Sequence, residues 1–204
     1  MVLRRQRNRK STSQPDLLIV GLGNPGEKYK NTRHNVGQEV LHALVARHDG
    51  TFKKSKELAL CSEVRINSQK VTLALPQTFM NESGLAVQKL VHRYNISNPA
   101  DLLIVHDELD LPPGSMKIKL GGGLAGHNGL KSIDQHLHTK DFGRLRMGIG
   151  KPENSEQGRN YVLKRPSKQE QEQINACLER SIEAIESLLS HGYEKTMNKF
   201  NGSF

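Results

Sequence analysis

Short apolar runs alternate with amphipathic stretches along this chain. Residues 17–20 are continuously apolar, the pattern of a buried strand. Val36, Val40, Leu41, Leu44 and Val45 share one helical face, and Asp49-Gly50 marks the end of that helix. Residues 58–66 and 71–75 read as two strands around a turn at Asn67-Ser68. Val87, Leu90, Val91 and Tyr94 mark a second helix, and residues 102–105 a short strand buried on both faces. Met116, Ile118 and Leu120 alternate with Lys117 and Lys119, as in a half-buried strand. A glycine cluster at 121–129 leads into a helix over 130–137, and 145–149 is a further strand. The last helix starts at Ser167, which fits a capping box with Glu170. Its stripe is Ile174, Leu178, Ile182, Ile185 and Leu189, and Gly192 is the expected stop. Strands alternating with helices predict an α/β fold on a mostly parallel or mixed sheet, with functional groups gathered beyond the carboxyl ends of the strands.

Length and composition add bounds. At 204 residues the chain is long enough for one domain with a sizeable core. No apolar run approaches the 18 or so residues of a membrane span, and no apolar segment follows the basic N-terminus as a secretory signal would require. Cys61 and Cys177 are far apart and form no CxxC pair, which fits a reducing compartment and argues against a thiolate zinc site. The net charge is +9, and Arg4, Arg5, Arg7, Arg9 and Lys10 supply five of it with no acid among residues 1–15. That stretch is expected to be a disordered basic extension, leaving residues 16–204 as the folded domain. It is Arg- and Ser-rich like an organellar presequence but has almost no apolar face. The remaining +4 permits a nucleic-acid partner without establishing one.

The segment "LIVGLGNPG" at 18–26 is a strand followed by Gly-x-Gly-x-x-Gly. A dinucleotide fingerprint needs a helix opening on that turn and an acidic residue ending a second strand. Here "EKYKNTRHN" follows, polar and without a helical stripe, and Pro25 removes a backbone donor. The glycines read instead as a tight strand exit with positive φ. Asn24 is left unexplained by that reading.

Four polar clusters follow apolar segments: Asn24 and Tyr29 with Arg33-His34-Asn35; Met80-Asn81; His106-Asp107-Glu108-Leu109-Asp110; and His127-Asn128. They contain no strong nucleophile, no Gly-x-Ser-x-Gly elbow and no HExxH. What such a set can supply is a histidine base acting on water, a carboxylate to orient it, and asparagine amides to hold water, a carbonyl or an oxyanion. Each piece also has a plain structural reading. His34 and Asn35 could cap the helix at Val36, Asp107 could make a turn with the prolines at 112–113, and Asn81 could cap the next helix. The glycine cluster could be a flexible hairpin end or a phosphate loop.

Taken together, "VGLGNPGEKYKNTRHNVG", "FMNESG", "HDELDLPPG", "KLGGGLAGHNGLKSI" and "FGRLRMGIGKP", in this order, with "MNKFN" near the C-terminus, resemble the bacterial-type peptidyl-tRNA hydrolases. The resemblance implies a single α/β domain with a mixed twisted sheet between helices, and hydrolysis of the ester joining a peptide to the 3′-terminal ribose of tRNA. It implies His34 as the base on water and Asp107 as the group that orients it. Asn24, Asn81 and Asn128 fall on positions that hold substrate and water, Tyr29, Met80 and His127 on positions that line the cleft, and Lys119 and Arg146 on contacts to tRNA phosphate. No metal and no organic cofactor are implied. The expected partner is tRNA, and the expected enzyme is a cytoplasmic monomer without a membrane, the basic extension leaving mitochondria or plastids as the alternative. Lys117, Arg144 and Lys140 would join Lys119 and Arg146 in one basic patch. Leu124-Ala125 departs from the family's usual histidine-glycine in the glycine loop. A non-catalytic RNA-binding scaffold on the same fold is the competing expectation.

Overall fold

Seven strands form one sheet: β1 (Leu17–Gly21), β2 (Lys53–Ser55), β3 (Ala59–Ile66), β4 (Gln69–Pro76), β5 (Leu102–Glu108), β6 (Met116–Leu120) and β7 (Gly143–Gly148), in the spatial order β2-β3-β4-β1-β5-β7-β6. This computed structural model describes residues 14–152 and 158–202. Most of the expected basic extension therefore lies outside the described residues; of it only Gln14, exposed, and Pro15, buried, are described. The four central strands β4, β1, β5 and β7 run parallel, and β3 and β6 join them antiparallel, so the sheet is mixed as expected. Every residue of β1 and β5 is buried, because helices cover both faces. The β3–β4 hairpin closes through Asn67 and Ser68, both with positive φ, the geometry of a two-residue turn matched to strand twist.

Helices α1 (Val36–Arg47) and α5 (Lys168–Phe200) pack their apolar stripes on one face, together with Leu103, Val105, Leu145 and Met147. Helices α2 (Ser83–Tyr94) and α3 (Asn128–Leu137) cover the other, over Val20, Ile104 and Phe142. Among the described residues no helix is long and apolar enough to cross a membrane. Both cysteines are free.

The structure departs from the sequence pattern at three places. Strand β2 was not expected, being three polar residues at the sheet edge that pair only with β3. The short helix α4 (Gly158–Val162) carries no stripe long enough to read. Gly192 adopts φ 75 and ψ 176 and kinks α5, but the chain resumes its helix to Phe200. The resumed turns are held from outside: the Tyr193 hydroxyl donates to the Ala100 carbonyl, and the Asn201 amide brackets Ile118, donating to its carbonyl at 2.7 Å and accepting its N–H at 2.8 Å. Asn201 thus satisfies backbone groups on the open edge of β6 as a neighbouring strand would.

Close backbone contact shapes the carboxyl end of the sheet. A Cβ on Gly21 would lie 2.4 Å from the Gly37 carbonyl oxygen, and one on Gly37 would lie 2.3 Å from that of Val105. Only glycine lets the first turn of α1 press onto the ends of β1 and β5. In the "GLGNPG" turn itself only Gly26 has positive φ; Gly21 is needed for space against the Gly37 backbone, and Gly23 faces only the Gln38 side chain. The expectation that all three supply unusual torsions is corrected accordingly.

Candidate active site

The carboxyl ends of the central strands open into a cleft of about 740 Å³. Asn24, Tyr29, His34, Met80, Asn81, Asp107, His127 and Asn128 all line it. Asn24 follows β1, and His34 sits in a 3-10 turn at Arg33–Asn35 just before α1. Met80 and Asn81 sit in a second such turn before α2, Asp107 lies inside β5, and His127 and Asn128 begin α3.

Hydrogen bonds fix the protons at the centre. His127 is the N-cap of α3, and its Nδ1 accepts from the backbone N–H groups of Gly129 at 3.1 Å and Leu130 at 3.3 Å. Its proton is therefore on Nε2, which donates to Asp107 Oδ1 at 2.9 Å. His34 Nδ1 lies 2.8 Å from the same oxygen and donates to it as well. The remaining His34 nitrogen, Nε2, keeps its lone pair on a side chain that lines the cleft. Burial opposes a charge on His34, but the Asp107 carboxylate outweighs it and raises the imidazole above its ordinary value of 6.5. Burial alone would raise the Asp107 carboxyl; His34 and His127 instead hold it well below the usual carboxylate range. His106, buried against the His127 ring, is pushed down to about 3 by that burial and by His127, and so stays neutral.

His34, Asp107 and His127 also offer donor atoms within 4.8 Å of one another, a spacing that a metal ion could use. The tautomer of His127 argues against that use: Nε2 bears the proton, and freeing it would shift the proton to Nδ1 and break the cap of α3.

The asparagines divide into braced and free. The Asn24 backbone N–H donates to Asn35 Oδ1 at 2.9 Å, and Asn35 Nδ2 donates back to the Asn24 carbonyl at 3.0 Å. Asn35 therefore makes no side-chain cap for α1, contrary to the plain reading. Asn24 Oδ1 accepts the buried Met80 N–H at 2.8 Å, which leaves Asn24 Nδ2 as a donor with no partner among the described residues. Asn81 and Asn128 are exposed on the cleft, and their side chains make no hydrogen bond among the described residues.

Lys119 and Arg146 stand on the same face of the β6–β7 pair as Lys117 and Arg144, because Lys117 is opposite Arg146 and Lys119 opposite Arg144. The four are not equivalent. Arg144 is fully buried; its guanidinium donates to the carbonyls of Gly122 at 2.8 Å, Lys140 at 3.1 Å and Gly123, so it braces the glycine loop and is no part of a surface patch. Lys140 is paired with Asp134 at 3.5 Å. Arg146 donates Nε to Glu108 at 2.9 Å, and burial together with Arg146 and Arg144 lowers the Lys119 ammonium.

Several lining residues had no distinct signal in the sequence. Phe79 is half exposed at the rim, edge-on to Tyr29 with ring centroids 6.4 Å apart. Arg159, Val162 and Leu163 form a wall around α4. Only an exposed aromatic beside Met80 hinted at the first, and nothing local marked the wall.

The sequence model of the peptidyl-tRNA hydrolase family matches residues 18–204. The chain is 48% identical over 182 residues to a peptidyl-tRNA hydrolase of Dichelobacter nodosus, covering 89% of this chain and 96% of that one. It is 45% identical over 184 residues to that of Listeria welshimeri, covering 90% and 99%. The crystal structure of the Acinetobacter baumannii peptidyl-tRNA hydrolase superimposes with a TM-score of 0.87 at 36% identity, over 94% of this chain and 97% of that one. Sequence and fold agree along nearly the whole length, and this chain belongs to the bacterial-type peptidyl-tRNA hydrolase family.

Proposed function

We infer that the chain hydrolyses the ester between a peptide and the 3′-terminal ribose of tRNA, freeing both and recycling the tRNA. The observation that carries this reading is the His34 ring, tied through Nδ1 to a buried carboxylate, with its other nitrogen free on a cleft lined by uncharged amides. A water held between His34 Nε2 and the asparagines attacks the ester carbonyl carbon. His34 takes a proton from that water as the new C–O bond forms. The carbonyl electron pair moves onto oxygen, where donors such as Asn24 Nδ2 stabilise it. Collapse then breaks the bond to the ribose oxygen, which leaves with the proton from the imidazolium. Asp107 stabilises that imidazolium and fixes the ring, and His127 holds the carboxylate from the other side. Asn81 and Asn128 are assigned to substrate and water, Tyr29 and Met80 to the cleft walls, and Lys119 and Arg146 to tRNA phosphates.

The reading extends to a monomeric, cytoplasmic enzyme without a resident metal, the last supported by the proton on His127 Nε2. The test is release of the N-blocked amino acid from N-acetyl-aminoacyl-tRNA by the purified chain. His34→Ala should lower turnover by about 10²–10⁴-fold or more, the scale of a general base, while tRNA binding persists. Absence of release by the parent, or near-parent turnover in His34→Ala, would end the reading.

A further inference from the structure

The cleft has two unlike walls. One is formed by the turn at Met80–Glu82 and the start of α3, on the face of the sheet that α2 and α3 cover. Lys119 and Arg146 stand on that same face, since their neighbours Ile118, Leu145 and Met147 point into the core under α5. The other wall is α4 and the residue after it. Val162 belongs to the core of the α1/α5 face, and the segment is clasped to the turn that holds His34. The Arg33 N–H donates to the Lys164 carbonyl at 3.1 Å. Its guanidinium donates to the Arg165 carbonyl at 3.0 Å and to Glu170 at 2.8 Å, and lies 4.1 Å from the centre of the Tyr161 ring. A tRNA that rests on Lys119 and Arg146 brings its 3′ end to His34 from the α3 side. The peptide side of the ester then faces the α4 wall.

That wall presents a cation to the cleft. Arg159 is exposed and lines the cleft, and its side chain has no ion pair or hydrogen bond among the described residues. Among the described residues, the acids that line the cleft are already engaged: Asp107 with His34 and His127, Glu108 with Arg146 and the Asp110 N–H. Val162 and Leu163, three and four residues further on, line the same wall with apolar side chains. Building on the hydrolase reading above, we propose that Arg159 reads the peptide, favouring substrates with an acidic side chain just before the esterified residue and disfavouring a basic one. The contact is electrostatic and involves no bond making, so it alters selection among peptides and leaves the hydrolytic step as derived.

Three substrates on one tRNA test this: N-acetyl-Asp-Ala-tRNA, N-acetyl-Lys-Ala-tRNA and N-acetyl-Ala-tRNA. The parent should show a kcat/KM ratio of Asp to Lys substrate of about two- to fivefold, the scale of one partly screened ion pair. Arg159→Gln should bring that ratio to about one, and Arg159→Glu should invert it, again on the scale of a single pair. Affinity for deacylated tRNA should be the same in all three proteins. A parent ratio of one, or a ratio that Arg159→Glu leaves unchanged, overturns the proposal. So does a loss of deacylated-tRNA affinity in Arg159→Glu without a change of ratio, because the guanidinium then serves the RNA. Release from all three substrates without preference refutes the proposal alone, whereas release from none refutes the hydrolase reading and the proposal with it.

Discussion

Asp107→Asn separates charge from shape at the centre of the cleft. Asp107 Oδ1 accepts from His34 at 2.8 Å and from His127 at 2.9 Å, and an asparagine oxygen can accept both. What disappears is the negative charge opposite the imidazolium that forms when His34 takes the water proton. Two unit charges about 4 Å apart interact by roughly 4 kcal/mol at an effective dielectric constant of about 20. At about 1.4 kcal/mol per factor of ten, turnover should fall on the order of 10³-fold. The pH profile adds a sign. In the parent, Asp107 outweighs burial and raises His34 above its ordinary 6.5, so the rate should climb with pH through a limb above that value. In Asp107→Asn only burial remains, and the limb should move below it. The deficit of the variant should therefore be largest at high pH and should shrink by up to about tenfold per pH unit below the parent's limb. Single-turnover release from N-acetyl-aminoacyl-tRNA over about pH 5 to 9, corrected for spontaneous ester hydrolysis, measures both quantities. Coincident limbs, or a parent-like rate at high pH, would refute the role assigned to Asp107.

Asn24→Ala should orphan the buried Met80 N–H and cost about 1–3 kcal/mol in chemical denaturation. Asn24→Asp keeps an acceptor for that N–H and should recover most of the stability but little of the turnover, since the amide donor is gone; full activity in it would sink the oxyanion role. Lys119→Ala and Arg146→Ala should each flatten the slope of log tRNA affinity against log salt by about 0.7–0.9, with little effect on single-turnover chemistry at saturation. Arg144→Met should lower the melting temperature and leave that slope alone, because its guanidinium is bound to carbonyls; a flattened slope would put Arg144 on the RNA after all. Gly37→Ala should destabilise by about 1–3 kcal/mol or more, because the new Cβ meets backbone of Val105 and Leu22 that cannot move aside. A parent-like melting temperature there would mean that α1 does not press on the strands.

The central strands and long helices were legible in the sequence because their burial is expressed locally. Every position of β1 and β5 is apolar or belongs to the site, and α5 announces its start with the Ser167–Glu170 capping box. Residue chemistry was equally legible: a base, a carboxylate and amides, with neither a strong nucleophile nor a cofactor loop among them. Elements whose existence depends on distant partners were not. Lys53–Ser55 becomes a strand only because β3 lies beside it, and the α5 kink at Gly192 is bridged by contacts to Ala100 and Ile118. Arg144 and Arg146 have the same alternation and the same charge, yet the glycine loop folds over the first and the second is paired with Glu108. The proton on His34 follows from a bond to Asp107 across 73 residues of chain, and the His127 proton, placed by its own helix cap, meets the same carboxylate across 20. Periodicity reports which side of an element is dry; which atom holds a proton depends on the groups that folding brings within 3 Å of it, and only the tertiary structure decides those.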